Sequence, residues 1–295
     1  LYGVPNIFIK QERGYEFMYT KEINIKESLT SNCENCFGLC CVSLFFSKSE
    51  GFPIDKIAGK PCINLKDDFK CRVHKDLNKK GLKGCLAYDC FGAGQKVSQV
   101  TYSGESWKDN PNISKEMYEV FVIVRQLHEI LWYLTEAFRL QSDLEVKKNL
   151  EPLIQRTEDF TKLDSQAILK IDIISHRFEV NKLLLETSKS IRNKVKKKNL
   201  NHLKAKNNFS LIGKDLRKTE LIGEDLSGSF LIAANLSGVD LSFTDLIGAD
   251  LRDANIRGAD LSKSIYLTQA QINSAKGDYN TRLPKTLIRP SHWTK

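Results

Sequence analysis

The chain has 295 residues, 41% of them apolar and 27% charged, with a net charge of +9. That composition is ordinary for a soluble protein, and the length allows two or three domains. No apolar run reaches the roughly 18 residues of a membrane-spanning helix. The stretch up to Phe17 also lacks the apolar core of a signal peptide, so a cytoplasmic location is expected.

Residues 1–111 are expected to form a small α+β, metal-binding domain. All eight cysteines lie between Cys33 and Cys90, spaced C-x2-C-x3-C-C-x20-C-x8-C-x2-H-x10-C-x4-C, with His74 inside the series. Without a secretion signal, such a cluster points to metal ahead of two alternatives, a disulfide framework and buried free thiols. Short, turn-forming spacers let two sulfurs reach one metal about 2.3 Å away. "CENC" is one such knuckle and "CRVH" a candidate second. Cys40 and Cys41 are adjacent, so their side chains are expected to diverge and to serve two metals, or two irons of one cluster. The candidate ligands are Cys33, Cys36, Cys40, Cys41, Cys62, Cys71, His74, Cys85 and Cys90. Zinc and an iron–sulfur cluster both remain open: a fully thiolate-bound zinc would be structural, whereas a cluster could be a redox sensor. "CENCFGLCC" resembles the zinc- or iron-chelating family whose signature is CxxCxxCC, with one extra residue between its second and third cysteines. "VSLFF" and "VSQVTYSG" read as short strands.

Residues 112–206 read as helical. Ser114 is expected to cap a helix to about Leu140, with Met117, Phe121, Val124, Leu127 or His128, Leu131, Leu134 and Phe138 along one stripe. Ser142 with Glu145 reads as a capping box for a second helix, which Pro152 should kink or split. A third helix starts at Asp164 or Ser165 and carries Ile168, Ile171, Ile174, Phe178, Leu185 and Ile191 on one side. His128 and His176 read as structural, and Trp132 and Tyr133 as packing residues. The basic tract at residues 189–206 could touch nucleic acid or an anionic surface. It lacks the interleaved aromatics of a single-strand binder, and reads better as a solvated helix end running into a linker.

Residues 207–266 count in fives. An aliphatic residue recurs at Leu211, Leu216, Leu221, Leu226, Leu231, Leu236, Leu241, Leu246, Leu251, Ile256 and Leu261, and Tyr266 keeps the phase. A small residue stands two places before most of them, Asp or Asn one place before, and Gly often two places after. This period fits neither helix nor strand; it fits a chain that turns a corner once per unit and stacks its coils. The units "AANLSG" and "GADLRDANIRGADLS" resemble the pentapeptide-repeat family. The resemblance implies a right-handed, four-sided β-helix of about three coils. Residues 267–295 should then supply a cap, with a short helix near Ala270, Ile272 and Ala275, and an extended tail.

The fold class expected overall is therefore multi-domain: a small cysteine-rich α+β region, a helical middle and a C-terminal right-handed β-helix. No nucleophile–base motif, P-loop or zinc-protease motif occurs, which argues against an enzyme. Three functions fit. The first is a metal-binding interaction protein, whose repeat surface meets a protein partner. The second is an iron–sulfur redox sensor or metalloenzyme. The third is a DNA mimic that binds a topoisomerase, as some pentapeptide-repeat proteins do. The third ranks last, because residues 207–295 carry 11 basic against 10 acidic groups.

Overall fold

The structure is a computed structural model that describes residues 25, 27–196 and 211–293. The basic tract from residue 197 to 206 and the first repeat residues, Phe209 included, lie outside the described residues.

From Leu211 the chain returns to register every twenty residues. Parallel bridges join Asp215 to Asn235, Asp225 to Asp245, Phe230 to Asp250, Asn235 to Asn255 and Asp240 to Asp260. Four five-residue sides therefore make one coil, and backbone bonds such as Leu226 N–H to Asp245 O (3.0 Å) tie each coil to the next. The aliphatic column points inward from Leu211 to Leu261, and Ala234, Ala249, Ala254 and Ala259 fill the space beside it. The Asp/Asn column has a local task. Asp225, Asn235, Asp240 and Asp260 each accept the backbone N–H two residues on, at 2.8–3.2 Å, which fixes the corner. Bridging continues past Tyr266, through Asn255–Lys276 and Asp260–Arg282, where the coil lengthens by one and then two residues to admit a short helix.

The corner two places after most of the aliphatic residues has a positive φ, and there glycine has its use: Gly213, Gly223, Gly228, Gly238, Gly248 and Gly258 lie at 63–71°. Ala233, Phe243 and Asp253 take the same corner at 55–60°. Ala233 is exposed. Replacing Ala233 with Gly removes the Cβ strain at the cost of chain entropy, so Ala233→Gly should stabilise the chain by about 0.5 kcal/mol. A lower denaturation midpoint for that variant would contradict this account of the corner.

The described helices are α1 (Leu39–Ser43), α2 (Lys83–Leu86), α3 (Ala93–Lys96), α4 (Ser114–Leu140), α5 (Leu144–Phe160), α6 (Ser165–Ile168), α7 (Ile173–Lys196) and α8 (Gln269–Ser274). α4 is the hub. Its first half packs Met117, Val120, Phe121 and Val124 against Leu39, Val42, Ala93 and Val97 of the cysteine region. Its second half, from Ile130 to Phe138, joins the core that runs on into the repeats. α7 lies against one side of the coils: Ser188 Oγ donates to Asp245, Arg192 pairs with Asp225 at 2.8 Å, and Tyr266 Oη donates to Leu184 O at 3.0 Å. One side of the repeat stack is therefore already covered by the chain's own helices.

Several local expectations are corrected. Ser114 does not cap α4; its hydroxyl donates back to Pro111 O. Asp143, not Ser142, caps α5: its carboxylate accepts the Glu145 N–H at 2.9 Å. Pro152 does not split α5. Pro152 and Lys148 both face solvent, so water can serve the carbonyl that proline leaves free. The third helix is two: Asp164 caps α6, and Asp172 then accepts the Ser175 N–H to start α7. The apolar stripe expected on α7 is out of phase. Ile174 and Phe178 are 79% and 80% exposed, whereas His176, Val180, Leu184, Thr187, Ser188 and Ile191 are buried. The polar members go inside because partners wait there, Thr157 for His176 (2.8 Å) and Asp245 for Ser188. "VSLFF" and "VSQVTYSG" are not strands: α1 takes the first two residues of one, and Val97–Thr101 of the other forms a π-helical turn.

Candidate metal centre

The nine candidate ligands sit on short turns rather than on long elements. Cys33 opens a 3-10 turn that ends at Cys36, whose N–H donates to Cys33 O at 3.4 Å. Gly38 then adopts φ 66° and starts α1, which carries Cys40 and Cys41. Cys62 is buried, and its N–H donates to Cys41 O at 2.9 Å. The following loop closes on an antiparallel bridge between Leu65 and Cys71. His74 begins a second 3-10 turn, Cys85 lies on α2, and Cys90 precedes α3.

Lys70 locks this loop to the first knuckle, donating to the carbonyls of Cys33 (3.2 Å) and Glu34 (2.6 Å). Cys40 and Cys41 do not diverge as expected: their sulfurs are 3.9 Å apart. They lie on a helix, where successive side chains turn by about 100°, rather than on a strand, where they alternate. Cys33 Sγ is 3.9 Å from His74 Nε2. A Cβ placed on Gly94 would lie 2.6 Å from Cys36 Sγ and 3.8 Å from Cys90 Sγ, so this glycine lets α3 approach both sulfurs. All eight cysteines are unpaired. Among the described residues, no three His, Cys, Asp or Glu side chains converge closely enough to ligate one ion as they stand.

The donor set nonetheless suits a thiophilic metal in type and number. Cys62 Sγ accepts the Asn64 N–H at 3.5 Å, as metal-bound thiolates accept downstream amides. Burial, and then the neighbouring thiols, push Cys33 and Cys85 up to about 12 and Cys36 to about 11. So many thiolates in one place need a cation to offset them. Cys41 is the exception; a hydrogen bond from Cys40 holds it low, helped by the charge of Lys56.

Sequence reasoning missed Lys56, Gly94 and Ser98. Lys56 is buried, and its ammonium group donates to Val42 O (2.8 Å) and to Leu44 O. Ser98 donates toward Cys36 and accepts the Phe37 N–H at 3.0 Å. Only the fold brings these residues to the cysteines; nothing in "PIDKIAGK" marks its first lysine as buried. A groove of about 660 Å³ runs past Cys33, His74 and Cys85, giving solvent a route to them.

Over 270 residues the chain is 52% identical to the "Uncharacterized protein YybG" of Bacillus subtilis (strain 168), a match that covers 92% of this chain and 96% of that one. The chain belongs to the YybG family. The pentapeptide-repeat family profile also matches, with eight copies at residues 234–265, within the stretch that forms the stacked coils. No solved structure matches. Among the described residues no helix is long and apolar enough to cross a membrane.

Proposed function

We propose that this chain is a non-enzymatic, thiolate metal-binding protein whose pentapeptide repeats act as a scaffold for a protein partner. Zinc and an iron–sulfur cluster are the two candidate occupants, and a cluster would add a redox-sensing role. The carrying observation is the confinement of eight unpaired cysteines to one region, with Cys40, Cys41 and Cys62 facing the buried Lys56. Metal binding on this reading asks the thiols to rotate inward while the turns stay in place. The likeness of "CENCFGLCC" to the zinc- or iron-chelating family supports the same reading.

The repeats belong to this proposal as a right-handed, four-sided β-helix of about three coils over residues 207–266. The cysteine-rich part is residues 1–111, the helical part 112–206 and the closing part 267–295. A partner would meet the sides of the coils that α7 leaves open. DNA mimicry is disfavoured by charge: Asp215, Asp250 and Asp260 pair with Arg217, Arg252 and Arg282, at 2.6–2.8 Å, and Asp225 pairs with Arg192. Four members of the acidic column are thus paired with arginines.

Purification without oxygen, followed by a visible spectrum and metal analysis, tests the reading. Stoichiometric zinc in a colourless protein assigns zinc. A brown protein containing iron and sulfide assigns a cluster. A folded chain with neither metal, and with all eight thiols reactive, would overturn the proposal.

A further inference from the structure

We propose that the outward face of α7 docks on an anionic lipid membrane, with the helix lying on the surface and not crossing it. The inference is independent of what the cysteines hold.

The face exists because α7 is inverted. His176, Thr187 and Ser188 go inside, whereas Ile174, Phe178 and Leu185 stay outside, 79%, 80% and 56% exposed. At about 100° per residue, these three fall within about 40° of one another around the helix axis. They form a single stripe roughly 16 Å long. It lies opposite Val180, Leu184 and Ile191, which are buried in the core shared with the coils. Among the described residues nothing covers the stripe. Single exposed apolar side chains are ordinary on a protein surface; three large ones aligned on one helix face mark a site of contact.

Charge identifies the partner. α7 carries six basic residues and two acidic ones. Arg177 and Arg192 are engaged within the fold, by Glu129 and Asp225. Lys182 and Lys189 are exposed and stand within about 40° of Phe178, along one flank of the stripe. The two acids, Glu179 and Glu186, sit further round, on the groove between α5 and α7, and Arg156 holds Glu179 there. The charges beside the apolar stripe are therefore lysines. Their long stems can run along an interface while their ammonium groups stay among the headgroups. Beyond Lys196 the sequence adds four lysines and no acid up to Lys206, so the local charge bias has the same sign. An apolar stripe with a lysine flank suits a negative lipid surface: the apolar side chains enter the acyl boundary, and the lysines meet the surface potential. Nucleic acid would engage the lysines through its phosphates but give Ile174 and Leu185 nothing to pack on.

The test uses the full chain and vesicles of phosphatidylcholine, with or without phosphatidylserine. Wild type should sediment with the mixed vesicles and not with the neutral ones, and added salt should weaken binding. Ile174→Ser, Phe178→Ser and Leu185→Ser together should weaken it by at least roughly tenfold. Lys182→Gln with Lys189→Gln should weaken it on the order of tenfold. The replaced side chains are exposed, so both variants should keep the wild-type unfolding midpoint. Phe178→Trp gives a direct reading that needs no loss of binding: its added emission should shift to the blue on the mixed vesicles. No binding to the mixed vesicles, or full binding by the serine variant, would overturn the proposal. Binding to duplex DNA without binding to vesicles would assign the lysines to nucleic acid instead. A dimer abolished by the three serines, without vesicle binding, would assign the stripe to a second copy of the chain.

Discussion

Tyr266→Ala should destabilise the chain by about 4 kcal/mol, the scale of deleting a fully buried aromatic ring. Tyr266 keeps the phase of the aliphatic column but is far larger than the leucines before it, and it has no exposed surface. Its ring meets Tyr133 of α4 edge-on, with centroids 5.9 Å apart and planes at 82°. Its hydroxyl donates to Leu184 O on α7. One side chain therefore joins the last full coil to two helices, and its loss opens a cavity between three elements at once. Tyr266→Phe keeps the ring and loses one hydrogen bond, so it should cost about 1 kcal/mol. Chemical denaturation of the two variants separates the contributions. A loss below about 1 kcal/mol for Tyr266→Ala would show that the helices hold to the coils without this anchor.

The repeat run was legible because its physics is one-dimensional. Each coil repeats the same inward aliphatic residue and the same Asp or Asn corner, so twenty residues of pattern describe all the others. The helical layer was legible only in part. α4 announced itself because it is buried over most of its length, and any periodic reading of Met117 to Phe138 finds it. α7 did not, since it buries His176, Thr187 and Ser188 and exposes Ile174 and Phe178. That inversion depends on Thr157 and on Asp245, a residue far away in sequence, and local hydrophobicity carries no trace of it.

The cysteine region followed the same rule. Spacing identified the ligand candidates, because short spacers govern where neighbouring sulfurs can go. It did not show that Cys40 and Cys41 lie side by side, since that depends on whether "GLCCVS" is helix or strand. Nor could it find Lys56 or Gly94, whose importance comes from contacts across the fold. Charge counting met a similar limit: the sum over residues 207–295 came near neutrality, but only the geometry showed that Asp215, Asp225, Asp250 and Asp260 each meet an Arg.

Acidification from pH 7 toward pH 4 should remove about 3 kcal/mol of stability through His128 alone. The imidazole is buried on α4, with Nδ1 2.6 Å from Phe91 O. The neutral tautomer that donates from Nδ1 satisfies that carbonyl. Burial lowers the pKa from 6.5 to about 4, against the Phe91 hydrogen bond and with some help from Lys96. Between those two values the unfolded chain takes up a proton that the folded chain refuses. The contribution is therefore complete above pH 6.5 and lost as pH falls toward 4. His176, lowered mainly by burial, acts in the same direction, whereas the raised Asp245 acts against it. His128→Gln isolates the effect, since the amide can donate to Phe91 O and does not titrate. Its stability should fall less between pH 7 and pH 4 than that of wild type, by about 3 kcal/mol, while metal loss and the other groups affect both proteins alike. Parallel pH profiles for the two would mean that His128 is not the buried neutral group. Because Phe91 follows Cys90 directly, the same bond carries the position of α4 to the edge of the cysteine cluster. Protonated His128 still donates to Phe91 O, so it is the buried charge that drives local opening there, and hydrogen exchange at the Phe91–Ala93 amides should rise ahead of exchange in the coils.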